Sequence, residues 1–236
     1  MRIHSRAWTL VVVASFSAIT RAAAPNQPDS YAHMAPLDQY LIADRQAEIA
    51  LARSAAPASV SGEAKVLVLG RKGYETAVPG SNGFTCIVER AWMNPFDHPE
   101  FWNPKIRGAI CYNAAASRSV LPYTLYRTKL VLMGTSKDQL LEQIRTAVAR
   151  KKLVAPAPGS MSYMMSKNGY LADGSGAWHS HLMFHIPKTD AATWGANLDG
   201  SPVIVDSQHS QVPEPEIIFM VPIGHWSDGT EAATHH

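Results

Sequence analysis

The chain has 236 residues, 46% hydrophobic and 17% charged, with a formal net charge of +2. That is enough material for one well-formed core, with no demand for a second domain. Arg2, Arg6 and Arg21 fall within the first 24 residues with no acidic residue among them, so the remainder has a formal charge of about −1, and a nucleic-acid or anionic-membrane role loses its electrostatic basis.

Arg2 and Arg6 precede the apolar run Trp8 to Ile19, and Ala22, Ala23 and Ala24 follow as small residues for a peptidase. This is the pattern of a secretory signal over residues 1–24, too short for a normal membrane span. The expectation is export to a periplasm or beyond the cell, with no membrane span after signal removal. Residues 25–35 read as a flexible segment, residues 36–230 as one α+β domain and residues 231–236 as a frayed tail.

Leu37 to Ser54 is rich in Ala, Leu, Glu, Gln and Arg and predicts a helix, stopped by Pro57. Lys65 to Leu69 and Phe84 to Arg90 read as strands joined into a hairpin through the turn residues Pro79 to Gly83. Ala91 to Gly108 follows, with three prolines, two tryptophans, two phenylalanines and no periodicity. Such a segment is either an aromatic plug over the core or the wall of a pocket. Tyr123 to Met133, with its β-branched and aromatic residues, reads as a longer strand ended by Gly134. Ser136 and Gln139 then form a capping-box pattern before a stripe of Leu140, Leu141, Ile144, Ala147 and Val148. Arg150, Lys151 and Lys152 suit the C-terminal dipole of that helix. Three strands in meander order follow: Met161 to Ser166, Trp178 to Ile186, and Ile217 to Ile223. The expected fold class is α+β, an antiparallel or mixed sheet with a C-terminal β-meander packed by two main helices.

Cys86 and Cys111 fit the same compartment, because an even cysteine count in an exported chain permits full pairing. A disulfide between them closes a loop of about 25 residues. A thiolate nucleophile or ligand is the alternative.

The stretch Trp178 to Ile186 carries most of the chemistry. As a strand it sends His179, His181, Met183 and His185 to one face. Side chains two apart on a strand project from points roughly 7 Å apart, so His179 and His181 can converge on one ion. Unless a bulge intervenes, His185 stands too far along to join them, and it reads as a core or partly exposed histidine. A third ligand has to come from elsewhere, and His225 at the end of the last strand is the expected donor, ahead of Asp97, His98 and Glu100. Glu100, or Tyr163 on the neighbouring strand, is the expected acid or base. Acid/base or hydrogen-bonding work, and an ordinary structural role, are the alternatives for the His179/His181 pair. Five of the nine methionines fall in this C-terminal region, Met161, Met164, Met165, Met183 and Met220. Adaptable core packing is their expected role, ahead of thioether ligation of copper.

Gly174 to His185 is similar to the first motif of cupins, a glycine followed by His-x-His and a later ligand, and Pro222 to His225 to their second. The spacing departs from the family in both motifs, and the capped helix does not belong to a plain β-barrel, so the resemblance implies metal geometry without assigning the family. Gly-x-Ser-x-Gly, Ser-x-x-Lys, His-Glu-x-x-His, Gly-x-x-x-x-Gly-Lys and Cys-x-x-Cys are all absent from the sequence.

Three functional expectations result. The first is an exported metal-dependent enzyme, hydrolytic or redox, in which His179, His181 and His225 hold zinc, copper or iron. The second is an exported module that captures a small molecule or peptide in a pocket of Trp92, Phe96, Phe101 and Trp102, with Arg90, Lys105 and Arg107 pairing a ligand carboxylate. The third is a non-catalytic envelope protein.

Overall fold

A computed structural model describes residues 31–173 and 178–232. The signal read over residues 1–24, Gly174 of the cupin-like motif, and His235 and His236 lie outside the described residues. Within them a 3-10 turn at Leu37–Gln39 precedes α1 (Arg45–Arg53), α2 (Ala58–Ser61), β1 (Lys65–Gly70), β2 (Gly73–Val78) and β3 (Thr85–Glu89). After the aromatic segment come β4 (Gly108–Tyr112), α3 (Ala114–Ser119), α4 (Leu121–Leu132), α5 (Lys137–Ala149), β5 (Met161–Met164), β6 (His181–Pro187) and β7 (Glu216–Pro222).

The seven strands form one sheet in the order β2-β1-β3-β4-β5-β6-β7. Only β1 and β3 run parallel; every other neighbouring pair is antiparallel. Among the described residues the class is therefore α+β, with a mixed sheet and five α-helices. The parallel pair corrects the expected hairpin. β1 returns immediately as β2 through Arg71 and Lys72, and Gly73 takes the positive φ (119°) where the returning strand begins. Residues 79–84 are a crossing between strands that run the same way.

Alternation along the central strands divides the core in two. Val66, Val68, Cys86, Val88, Ala109 and Cys111 face α1, which contributes Ile49 and Ala52. Leu67, Leu69, Ile87, Ile110 and Tyr112 face α4 and α5, which contribute Leu121, Leu130, Val131, Leu140 and Ile144. Burial on both faces explains why β1 and β4 read as continuous apolar runs. Cys86 and Cys111 stand directly opposite each other on β3 and β4 and form a buried disulfide. No helix among the described residues is long and apolar enough to cross a membrane.

The segment expected as a strand over Tyr123 to Met133 is helical. Pro122 sits in the first turn, where its missing N–H is harmless, and Leu121, Thr124, Arg127, Thr128 and Val131 recur at helical spacing as the buried stripe. Tertiary packing overrides the β-branched composition. The aromatic segment is a plug: Trp92, Phe96, Phe101 and Trp102 are all buried, and Trp92 Nε1 donates to Thr128 Oγ1 on α4 at 3.0 Å.

Candidate functional site: a pocket on the α4 side of the sheet

Toward the β7 edge the sheet extends past α4 and α5, and the face they leave uncovered is roofed by two loops, residues 90–107 and 188–214. Between roof and sheet lies a pocket of about 550 Å³. Its floor is the even-numbered side chains of β5, Met164, and of β7, Ile218 and Met220, with the odd-numbered His181 and Met183 of β6 between them. Gly108 opens the floor further, because a Cβ there would come within 3.4–3.6 Å of Leu171, Met164 and Glu89. Met93, Pro95, Ile106 and Val212 supply apolar wall, and Lys188, Asp206 and His209 stand toward the loops.

Two carboxylates reach this apolar space. Glu89 ends β3, on the same face as Ile87, and its Oε1 accepts from Tyr112 Oη at 2.5 Å and Thr124 Oγ1 at 2.7 Å. Burial pushes its carboxyl above the usual carboxylate range, although both hydroxyl donors pull the other way. Tyr112, on β4 beside it, is raised well above an ordinary phenol by burial and then by the Glu89 charge. The second carboxylate, Glu216, begins β7 and accepts from His185 Nδ1 at 3.0 Å, while His185 Nε2 lies 2.9 Å from Ser162 Oγ. His185 and Glu216 are both buried. Thr124, Glu89 and Tyr112 form one hydrogen-bonded group and Ser162, His185 and Glu216 a second, and with the Tyr112 and His185 rings 6.1 Å apart the two lie side by side as a polar seam beneath the pocket.

His181 lies in the floor with a fixed tautomer. Its Nδ1 lies 2.7 Å from the His179 carbonyl oxygen, which can only accept, so Nδ1 carries the proton and the neutral ring keeps its lone pair on Nε2. Burial holds the His181 pKa below the usual imidazole value, favouring that neutral form.

The expected metal residues are placed apart from one another in character. His181 is half-buried at the pocket; His179 precedes β6 and is exposed, because the strand begins three residues later than the sequence suggests. His225 is exposed in an isolated bridge with Glu231, beyond the end of β7. Among the described residues no group of three or more His, Cys, Asp or Glu side chains is placed to share an ion. Of the expected acid/base residues, Tyr163 lies on the opposite sheet face against Phe84, as strand alternation requires. Glu100 accepts from the Asp173 N–H at 3.0 Å and from Asn103 Nδ2 at 2.8 Å, an anchor between loops.

The expected ligand-binding set is also redistributed. Trp92 and Trp102 are in the core. Arg90 borders the pocket, but its guanidinium donates to Tyr40 O and Val88 O and pairs with buried Glu48 at 2.9 Å. Lys105 pairs with Asp173 at 3.1 Å in solvent. Arg107 donates to the carbonyls of Pro104, Ile106 and Gln39, and burial pulls its pKa down to about 10. None of the three is set to receive a ligand carboxylate: Arg90 lines the pocket beside Glu89 with its guanidinium already committed to Glu48 and two carbonyls, while Glu89 and Glu216 supply carboxylates to the same lining.

The residues missed in the sequence are Glu89, Tyr112, Thr124, Ser162 and Glu216; Met164, Met183 and Met220, expected as core packing ahead of copper ligation, line the pocket. A signal existed for Glu89, an acid sharing strand parity with the buried Ile87. Comparison with protein-family models, curated proteins and solved structures finds no match to this chain. The site alone carries the functional argument.

Proposed function

We propose that this is an exported protein that binds a small molecule with an apolar body and a hydrogen-bond-donating or cationic head group in the pocket over β5, β6 and β7. The observation that carries this reading is an apolar pocket of about 550 Å³ whose inner polar groups include the carboxylates of Glu89 and Glu216. A few convergent polar groups in a largely apolar concavity are the usual anatomy of a ligand site. A donor group entering the pocket offsets the desolvation that raises Glu89. Export is supported by the signal pattern and by the Cys86–Cys111 disulfide, which forms in oxidising compartments.

A metal-dependent enzyme is the second reading. It is favoured by one observation, the lone pair that the hydrogen bond to His179 leaves on His181 Nε2 in the pocket. Glu89, half-buried and raised, would be the acid in such an enzyme.

The test is titration of the untagged chain with the neutral fluorophore N-phenyl-1-naphthylamine, followed by competition with a medium-chain alkylamine and the matching alkyl carboxylate. Saturable binding is expected, displaced at least tenfold better by the amine. Gly108→Leu, whose Cβ meets only ordinary contacts and whose remainder projects into the pocket, should abolish it. Equal binding by that variant, or better displacement by the carboxylate, sinks the reading.

A further inference from the structure

The geometry points to a soft-metal site for copper(I) inside the pocket, made by His181 with the thioethers of Met164, Met183 and Met220. This takes the metal reading further and rests on it; capture of an organic ligand is a separate question.

Strand register places the four residues together. Met164 of β5 is directly opposite His181 of β6, and Met183 of β6 is directly opposite Met220 of β7. Met183 follows His181 by two residues on the same face, so the four side chains rise from adjoining positions on three neighbouring strands. Opposite residues in antiparallel strands have Cβ atoms about 5 Å apart, and successive same-face residues stand roughly 7 Å apart. A methionine side chain, with three rotatable bonds, spans such gaps. All four residues line the pocket.

The donor set selects the metal. Thioether sulfur is a soft, uncharged ligand that suits copper(I), whereas zinc, copper(II) and iron favour imidazole, carboxylate or thiolate. Both cysteines of the chain are consumed in the disulfide, so methionine sulfur is the soft donor left. The backbone bond to the His179 carbonyl orients the ring and pins its proton on Nδ1, the arrangement that readies Nε2 as a ligand. His179 thereby supports the site through its backbone rather than its imidazole. Packing alone accounts for methionines in a core, but it does not require three of them to share one open concavity with a histidine whose tautomer is fixed.

The experiment is an anaerobic titration of the untagged chain with copper(I) against the chromophoric chelator bicinchoninate, repeated for Met183→Leu, Met220→Leu and His181→Gln. Leucine keeps the volume and removes the sulfur, and far-ultraviolet circular dichroism checks that each variant folds. One copper(I) ion per chain is expected, with affinity lowered at least tenfold in each single variant and lost in the double methionine variant. Zinc at the same concentration should not displace it. X-ray absorption of the loaded wild-type chain should show mixed sulfur and nitrogen ligation, a readout that no variant needs to fold for. Failure of the chain to hold copper(I) against the chelator, undiminished affinity in the methionine variants, or absence of sulfur ligation overturns the site. Naphthylamine binding is read on the metal-free chain, so loss of the copper site and loss of the organic pocket are distinguishable results.

Discussion

Glu89 and His185 set the chemistry of the polar seam in opposite ways. Glu89 is held above the usual carboxylate range by burial. Its folded pKa exceeds its unfolded one, so folding favours the protonated form; that contribution is fully present below the unfolded pKa and is lost as pH rises through the folded value. Glu89→Gln keeps an oxygen for Tyr112 and Thr124 without the charge. It should match the wild type below about pH 4 and exceed it in stability at neutral pH and above, as read from urea midpoints across the range. A variant that falls behind as pH rises would mean that the ionised carboxylate stabilises the fold. His185 is the partner of two buried groups, Ser162 and Glu216. Truncating it to alanine strands a buried carboxylate, and His185→Ala should cost about 2–4 kcal/mol in chemical denaturation. A loss under 0.5 kcal/mol, roughly the size of a surface substitution, would show that the seam is not energetically connected.

At the level of elements, the disulfide ties β3 to β4 across the loop that contains the whole aromatic plug, 25 residues apart. Closing a loop of that length restricts the unfolded chain, so a Cys86→Ala/Cys111→Ala variant should lose about 3 kcal/mol, with unchanged strand content by circular dichroism. An unaltered denaturation midpoint would assign the bridge no role in stability. The capped helix α5 is legible because its signal is local: Ser136 accepts from the Gln139 N–H, and the Gln139 side chain returns the bond. α4 has no side-chain cap, and its composition favours a strand. Only the apolar layer it covers, Ile87, Ile110 and Tyr112, selects the helical stripe over the extended one.

For the molecule as a whole, one buried ion pair joins the roof of the pocket to the body. Arg127 of α4 donates to Glu214 through Nε at 2.7 Å and Nη2 at 2.6 Å, and its Nη1 holds the carbonyls of Trp92 and Asn94. Both side chains are 2% exposed, so neither charge has water as an alternative partner. Arg127→Ala should cost about 3–5 kcal/mol, while Arg127→Met/Glu214→Leu, which removes both charges, should recover much of it. Naphthylamine binding should weaken in the single variant because both roof loops lose their common anchor. Unchanged stability and binding in Arg127→Ala would show that the loops hold the pocket without it.

The sequence by itself determined what is local or compositional: an α+β chain, the cysteine pair, the capped helix, and a histidine-bearing strand whose His181, Met183 and His185 share a face. These depend on spacing of 2 or 3.6 residues, and such periods are visible within a dozen positions. Tertiary structure decided the rest. β3 lies parallel to β1 because β2 carries the chain back to the end where β1 began and β3 then sets out along the other edge of β1, and the aromatic segment became core because its rings met α4. The pocket draws Glu89, Met164, His181 and Glu216 from four strands distant in sequence. Their convergence is set by sheet order and register, which arise from long-range burial and leave no periodic trace in any one stretch of chain.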